Sequence, residues 1–205
     1  MRKYLFTPIV AVLLGACAYQ IPPPIPSLPT PDPPTTAPVD PQPVGRYAFG
    51  DSNSAMMVGT GHTAGDGRTW FAATGYTLAD WMPELLAAVD DPPATIGIAE
   101  GTNDAGLWDA RDPGWSAADE AAWTQAFDAI NPATCVYLLL PDATVSVDQI
   151  EAARTWIAAQ AAARGFVVVD PRGRFQLGAD GIHGASDEAW AVREALMNEG
   201  EAGCA

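Results

Sequence analysis

The chain reads as an α/β protein, a three-layer α/β/α sandwich around a five-stranded parallel sheet. Two observations predict this. From Gly45 onward, short apolar runs alternate with longer amphipathic stretches, and strands separated by helices imply parallel βαβ crossovers. Residues able to do chemistry also recur directly behind successive apolar runs, where an open parallel sheet carries its ligands.

The first strand is Arg46–Phe49, followed by a weak helical pattern at Ser54–Val58. Trp70–Ala73 is the second strand and Leu78–Val89 the helix behind it. Thr95–Ala99 follows as the third strand. Ser116 with Asp119–Glu120 then reads as the N-terminal cap of a helix over Ala117–Ile130. Cys135–Leu140 is the fourth strand. Val147–Arg164 is the clearest helix, with Ile150, Ala153, Ile157 and Ala161 on one face. Phe166–Val169 is the fifth strand, and Ser186–Asn198 closes the domain as a helix.

Three segments are expected: 1–16, 17–44 and 45–205. Arg2 and Lys3 precede a mostly apolar stretch, Leu5–Ala16, which is shorter than the about 20 residues that cross a bilayer and reads as an export signal. It ends in Leu14-Gly15-Ala16-Cys17, which resembles the bacterial lipobox. That resemblance implies cleavage before Cys17, a lipid on Cys17, and an exported protein anchored to the outer face of the bacterial cell membrane. The other reading is an ordinary signal with a stray or buried cysteine. Ala18–Val44 collapses to Pro, Thr, Asp and small residues, with Pro22-Pro23-Pro24, Pro33-Pro34 and Pro41-Gln42-Pro43. This is a polyproline II spacer, reaching up to roughly 80 Å at about 3.1 Å per residue.

The formal charge is −15, and loss of Arg2 and Lys3 with the leader takes it to −17. Such a surface repels nucleic acid and anionic headgroups, so neither is an expected partner. Cys135 and Cys204 remain once Cys17 is set aside. In an oxidising compartment they invite a disulfide tying the C-terminal tail to the start of the fourth strand. Two unpaired thiols stay open as the alternative, because pairing needs Cα atoms within about 7 Å.

Gly50-Asp51-Ser52 stands behind the first strand, Gly75 behind the second, Gly101-Thr102-Asn103-Asp104 behind the third, and Asp180-Gly181-Ile182-His183 behind the fifth. All fall on one rim of the sheet. A serine, a histidine, a carboxylate and two oxyanion donors are the parts of acyl-transfer chemistry. Asp180 precedes His183 by three residues, a spacing that on a helical turn puts both on one face. The other histidine, His62, lies in Gly59-Thr60-Gly61-His62 with no carboxylate at useful spacing and reads as solvent-exposed. No Gly-x-Ser-x-Gly elbow is present, which argues against the α/β-hydrolase fold.

In this order the motifs resemble the SGNH hydrolase family, the GDSL esterases and lipases, over about Tyr47 to Asn198. The resemblance implies a flavodoxin-like sandwich in which Ser52 is the nucleophile and His183 the base and then the acid. Asp180 would orient His183, and the oxyanion hole would be the Ser52 and Gly75 N–H groups with the Asn103 side chain. It implies no cofactor and no metal. Asp51 and Asp104 would buttress their loops. Ser52 could instead be a plain helix cap, and Gly75 a strand-end turn glycine rather than one chosen for close backbone approach.

The chain departs from the family at Asn53, where an apolar residue is usual, and at Ala73-Thr74-Gly75-Tyr76-Thr77, a reduced second block. The implied activity is hydrolysis of carboxylic esters, short-chain acyl or O-acetyl since no long apolar lid is evident, by a monomer acting on a small-molecule or glycan ester. An acyltransferase on envelope glycans and a non-catalytic glycan-binding lipoprotein are the rivals. Trp108 and Trp115 either border the cleft or pack, and the glycines from Gly59 to Gly67 predict a mobile loop.

Overall fold

The computed structural model describes residues 45–90, 95–106 and 114–204. The leader, Cys17, the proline segment and Trp108 lie outside the described residues. Strands and helices alternate: β1 (Arg46–Gly50), α1 (Ser52–Gly59), β2 (Thr69–Ala72), α2 (Met82–Asp90), β3 (Thr95–Ala99), α3 (Ala117–Ala129), β4 (Cys135–Leu139), α4 (Val147–Ala163), β5 (Val167–Val169) and α5 (Asp187–Ala202). The sheet order is β2-β1-β3-β4-β5, and every neighbouring pair is parallel. The predicted fold class is the observed one.

Successive strand residues face opposite sides, so each strand feeds two cores. Phe49, Ile96, Ile98, Val136 and Leu138 pack with α2, α3 and α4, whereas Ala48, Ala99, Tyr137 and Leu139 pack with α1 and α5. The α4 stripe Ile150, Ala153, Ile157 and Ala161 is wholly buried. Tyr137 lies across β3, where only a glycine fits: a Cβ on Gly97 would stand 2.5 Å from the tyrosine ring.

Three element boundaries differ from expectation by more than one residue, each for a visible reason. Helix α1 starts at Ser52 because Asp51 caps it, its carboxylate accepting the Asn53 and Ser54 N–H groups at 3.0 and 3.4 Å. Helix α2 starts at Met82 because Thr77–Trp81 is a turn, with Asp80 accepting from the Thr77 N–H and hydroxyl at 2.8 Å each. Helix α5 runs on to Ala202 because its end is tied down. Cys204 is disulfide-bonded to Cys135 with Cα atoms 5.7 Å apart, and Glu201 accepts from Arg46 Nε at 2.6 Å and from Arg68. Burial would raise the Glu201 carboxyl, but Arg46 and Arg68 outweigh it and hold it at about 2. The cap expected on α3 is present as a full box, with Asp119 accepting from the Ser116 N–H at 2.8 Å.

Candidate active site

In a doubly wound sheet the crevice opens where the strand order reverses. Here that point lies between β1 and β3: β2 lies on one side of β1, and β3, β4 and β5 extend from the other. Register brings Gly50 beside both Ala72 and Ala99. The loops that follow β1, β2 and β3 therefore leave the sheet at one level, carrying Ser52, Gly75 and Asn103.

Ser52 is fully buried at the first turn of α1, and its Oγ lies 3.0 Å from His183 Nε2. His183 Nδ1 lies 2.7 Å from Asp180 Oδ2. A carboxylate only accepts, so Nδ1 carries the proton and Nε2 is left to accept from the serine hydroxyl. The i,i+3 spacing achieves this without a helix. The segment is a loop turned by Asp180 itself, whose Oδ1 accepts the Ile182 and His183 N–H groups at 2.9 and 3.0 Å. Those backbone bonds, first that from Ile182, and the imidazole hold Asp180 down at about 2. One carboxylate thus shapes the loop and orients the ring.

Asn53, the departure from the family pattern, is 2% exposed and reaches into the same loop. Its Nδ2 donates to the Ile182 carbonyl at 3.1 Å, and its Oδ1 accepts the Gly184 N–H at 3.2 Å. Sequence reasoning gave this residue no role.

Beneath the site lies a buried polar layer that sequence also left unread, apart from Asp51 and Asp104. Arg193 of α5 donates to Asp51 Oδ1 at 3.3 Å, Ser54 Oγ at 3.1 Å and the Ala99 carbonyl at 3.2 Å. Glu100, 1% exposed, accepts from Trp81 Nε1 at 2.9 Å. Burial, then the Asp51 and Asp104 carboxylates, push its carboxyl well above the ordinary glutamate value. Within this layer Arg193 and Asp51 form an ion pair at 3.3 Å. Asp104 accepts from Trp123 Nε1 at 2.9 Å and the Leu78 N–H at 3.3 Å, and burial raises it to about 6. Asp51 and Asp104 do buttress their loops.

Asn103 is 6% exposed, and its Nδ2 donates to the Tyr76 carbonyl at 2.6 Å. This bond joins the third-strand loop to the loop holding Gly75. Gly75 has φ of +80°, and a Cβ there would meet nothing within 4 Å. The left-handed turn by itself demands glycine here, and the absence of a Cβ leaves the space in front of its N–H open. The next residue, Tyr76, is 42% exposed, with its ring backed by Trp81 at 4.7 Å between centroids.

The reading of His62 as solvent-exposed is also corrected. Its side chain retains 18% of its surface, and it meets Asp187 at 2.9 Å and Glu194 at 3.8 Å, both on α5. Those carboxylates are distant in sequence, so local spacing could not reveal them. Together with Asp66, which accepts from Arg68 at 2.8 and 3.0 Å, they tether the glycine-rich loop expected to be mobile. Trp115 packs against Trp123 and Trp156, at 6.4 and 5.7 Å, which is the packing reading. Among the described residues, no cluster of His, Cys, Asp and Glu could hold a metal ion.

No protein-family model matches the chain, and no curated protein sequence matches it. Solved structures do. A GDSL-like lipase from Bacteroides thetaiotaomicron aligns with a TM-score of 0.61 at 19% identity over 80% of this chain and 90% of its own. The C-terminal catalytic domain of peptidoglycan O-acetyltransferase A from Streptococcus pneumoniae, solved with a methylsulfonyl adduct, aligns with a TM-score of 0.62 at 16% identity over 78% and 93%. A carbohydrate acetylesterase from Sinorhizobium meliloti aligns with a TM-score of 0.56 at 16% identity over 77% and 99%. The chain has the fold of these proteins.

Proposed function

We propose that this protein is a serine esterase of the SGNH type, hydrolysing short-chain acyl or O-acetyl esters. The observation that carries it is the Ser52–His183–Asp180 relay, at 3.0 and 2.7 Å, at the switch point of the sheet. Ser52 Oγ attacks the ester carbonyl while Nε2 takes its proton. The tetrahedral oxyanion is held by the Ser52 and Gly75 N–H groups and the Asn103 amide. Nε2 then gives the proton to the leaving alcohol as the C–O bond breaks. Water attacks the acyl-serine by the reverse path, releasing the acid and free Ser52.

A glycan ester is the favoured substrate class. Tyr76 offers an exposed ring, backed by Trp81, next to the oxyanion glycine, and such a face stacks on a sugar. The lipobox-like Leu14–Cys17 and the proline spacer support an exported domain, residues 45–205, lipid-anchored through Cys17 to the outer face of the bacterial membrane. The Cys135–Cys204 disulfide agrees with an oxidising compartment. There the cell-envelope glycan is within reach.

Acyl transfer to a sugar is the second reading, favoured by the likeness to the O-acetyltransferase domain. The test uses the purified domain with a fluorophosphonate and an acyl-length series of 4-nitrophenyl esters. Labelling that Ser52→Ala abolishes, with acetate the best substrate, is expected. An unmutated protein that takes no label and cleaves no activated acetate would refute the reading. Partition of the acyl group between water and an added glycan separates hydrolase from transferase.

A further inference from the structure

The Asn53 amide does more than fill the position after the nucleophile. Its orientation is set by its partners: the Ile182 carbonyl can only accept and the Gly184 N–H can only donate. These are the peptide groups on either side of His183. Asn53 itself is immobilised, because its own N–H is bound to the Asp51 cap at 3.0 Å and its side chain is buried. The base is thus held twice. Asp180 fixes the rotation of the ring through Nδ1, and Asn53 fixes the backbone carrying that ring against the helix that carries Ser52.

The two attachments lie 129 and 131 residues from Asn53 in sequence; Asp180 and the Gly178 N–H, which donates to the His183 carbonyl at 2.7 Å, shape the loop from within, and Asn53 joins it to α1. An apolar residue at 53, such as leucine, could fill the space but could make neither bond. It would leave the Ile182 carbonyl and the Gly184 N–H without these partners.

We propose that Asn53 is a positioning residue for proton transfer, setting the 3.0 Å approach of His183 Nε2 to Ser52 Oγ by clamping residues 182 and 184 to the first turn of α1. This rests on the reading of Ser52 and His183 as nucleophile and base. Misplacement of a reacting group by about 1 Å can cost on the order of 100-fold in rate. Loss of the clamp should therefore act on kcat and leave substrate binding alone.

The test is steady-state hydrolysis of 4-nitrophenyl acetate by Asn53→Leu and Asn53→Ala, with fluorophosphonate labelling rates and amide exchange of Gly184. The smaller alanine serves where leucine fails to fold. Expected are a kcat lowered about 10- to 100-fold, KM within about twofold, a matching slowdown of labelling, and faster Gly184 exchange in a protein that stays folded. A folded variant that keeps wild-type kcat, or a loss confined to KM, would overturn the inference alone. An unmutated protein with neither activity nor label would instead overturn the esterase reading, and this inference with it.

Discussion

Asp180→Asn tests the relay most directly, because the structure shows both jobs of this carboxylate. Oδ1 accepts two backbone N–H groups at 2.9 and 3.0 Å, while Oδ2 faces His183 Nδ1 at 2.7 Å. An asparagine has one oxygen and must choose. If that oxygen stays with the backbone donors, the NH₂ faces Nδ1, the proton moves to Nε2, and Ser52 loses its acceptor. Where the triad aspartate is buried, this change costs about 10⁴ in kcat. Here 51% of the Asp180 side chain is exposed, so water can still accept from Nδ1 in part of the population.

The expected loss is therefore smaller, on the order of 10²–10³ in kcat, or about 3–4 kcal/mol of barrier at about 1.36 kcal/mol per decade. KM should move little, since Asp180 touches the base and not the substrate. The assay is 4-nitrophenyl acetate hydrolysis, with circular dichroism to establish folding. A folded Asp180→Asn protein with kcat within about threefold of wild type would refute the relay.

The same structure bears on stability and on substrate contact. The Cys135–Cys204 bond spans 69 residues, and chain-entropy reasoning assigns such a loop about 4 kcal/mol; an unchanged denaturant midpoint in the Cys135→Ser/Cys204→Ser protein would reject this. Tyr76→Ala should raise KM for acetylated sugars about 3- to 10-fold at constant kcat, the worth of one aromatic contact, and equal KM values would remove the stacking face. Glu201, at about 2 when folded against an ordinary 4.5, contributes stability that is present above 4.5 and lost as pH falls toward 2. Asp104, raised to about 6 from 3.8, works the opposite way, its contribution present below 3.8 and lost as pH rises through 6. The wild-type advantage over Glu201→Gln should therefore shrink between pH 5 and pH 3, as read by urea midpoints; a constant difference would contradict the Arg46–Glu201–Arg68 network.

Much of the fold was legible because it is written in local periodicity. The α4 stripe and the Ser116 cap each depend on residues within about four positions of one another. So does the Asp180–His183 pair, although a turn rather than a helix produces it. What escaped reading was polar and distant. Asp51 was legible as a buttress, but not that Arg193, 142 residues on, would hold it. His62 looked unaccompanied because Asp187 lies 125 residues away.

The sequence by itself determined the order of strands and helices, the four motifs behind them and the two cysteines. Those follow from hydrophobic patterning and short-range spacing, which act before the chain has a tertiary shape. Only the tertiary structure decided that Cys135 meets Cys204, that Glu100 lies buried near an Asp51–Arg193 pair, and that Asn53 grips both sides of His183. These contacts join residues 69 to 142 positions apart, and a single contact at such range leaves no period in the sequence to read.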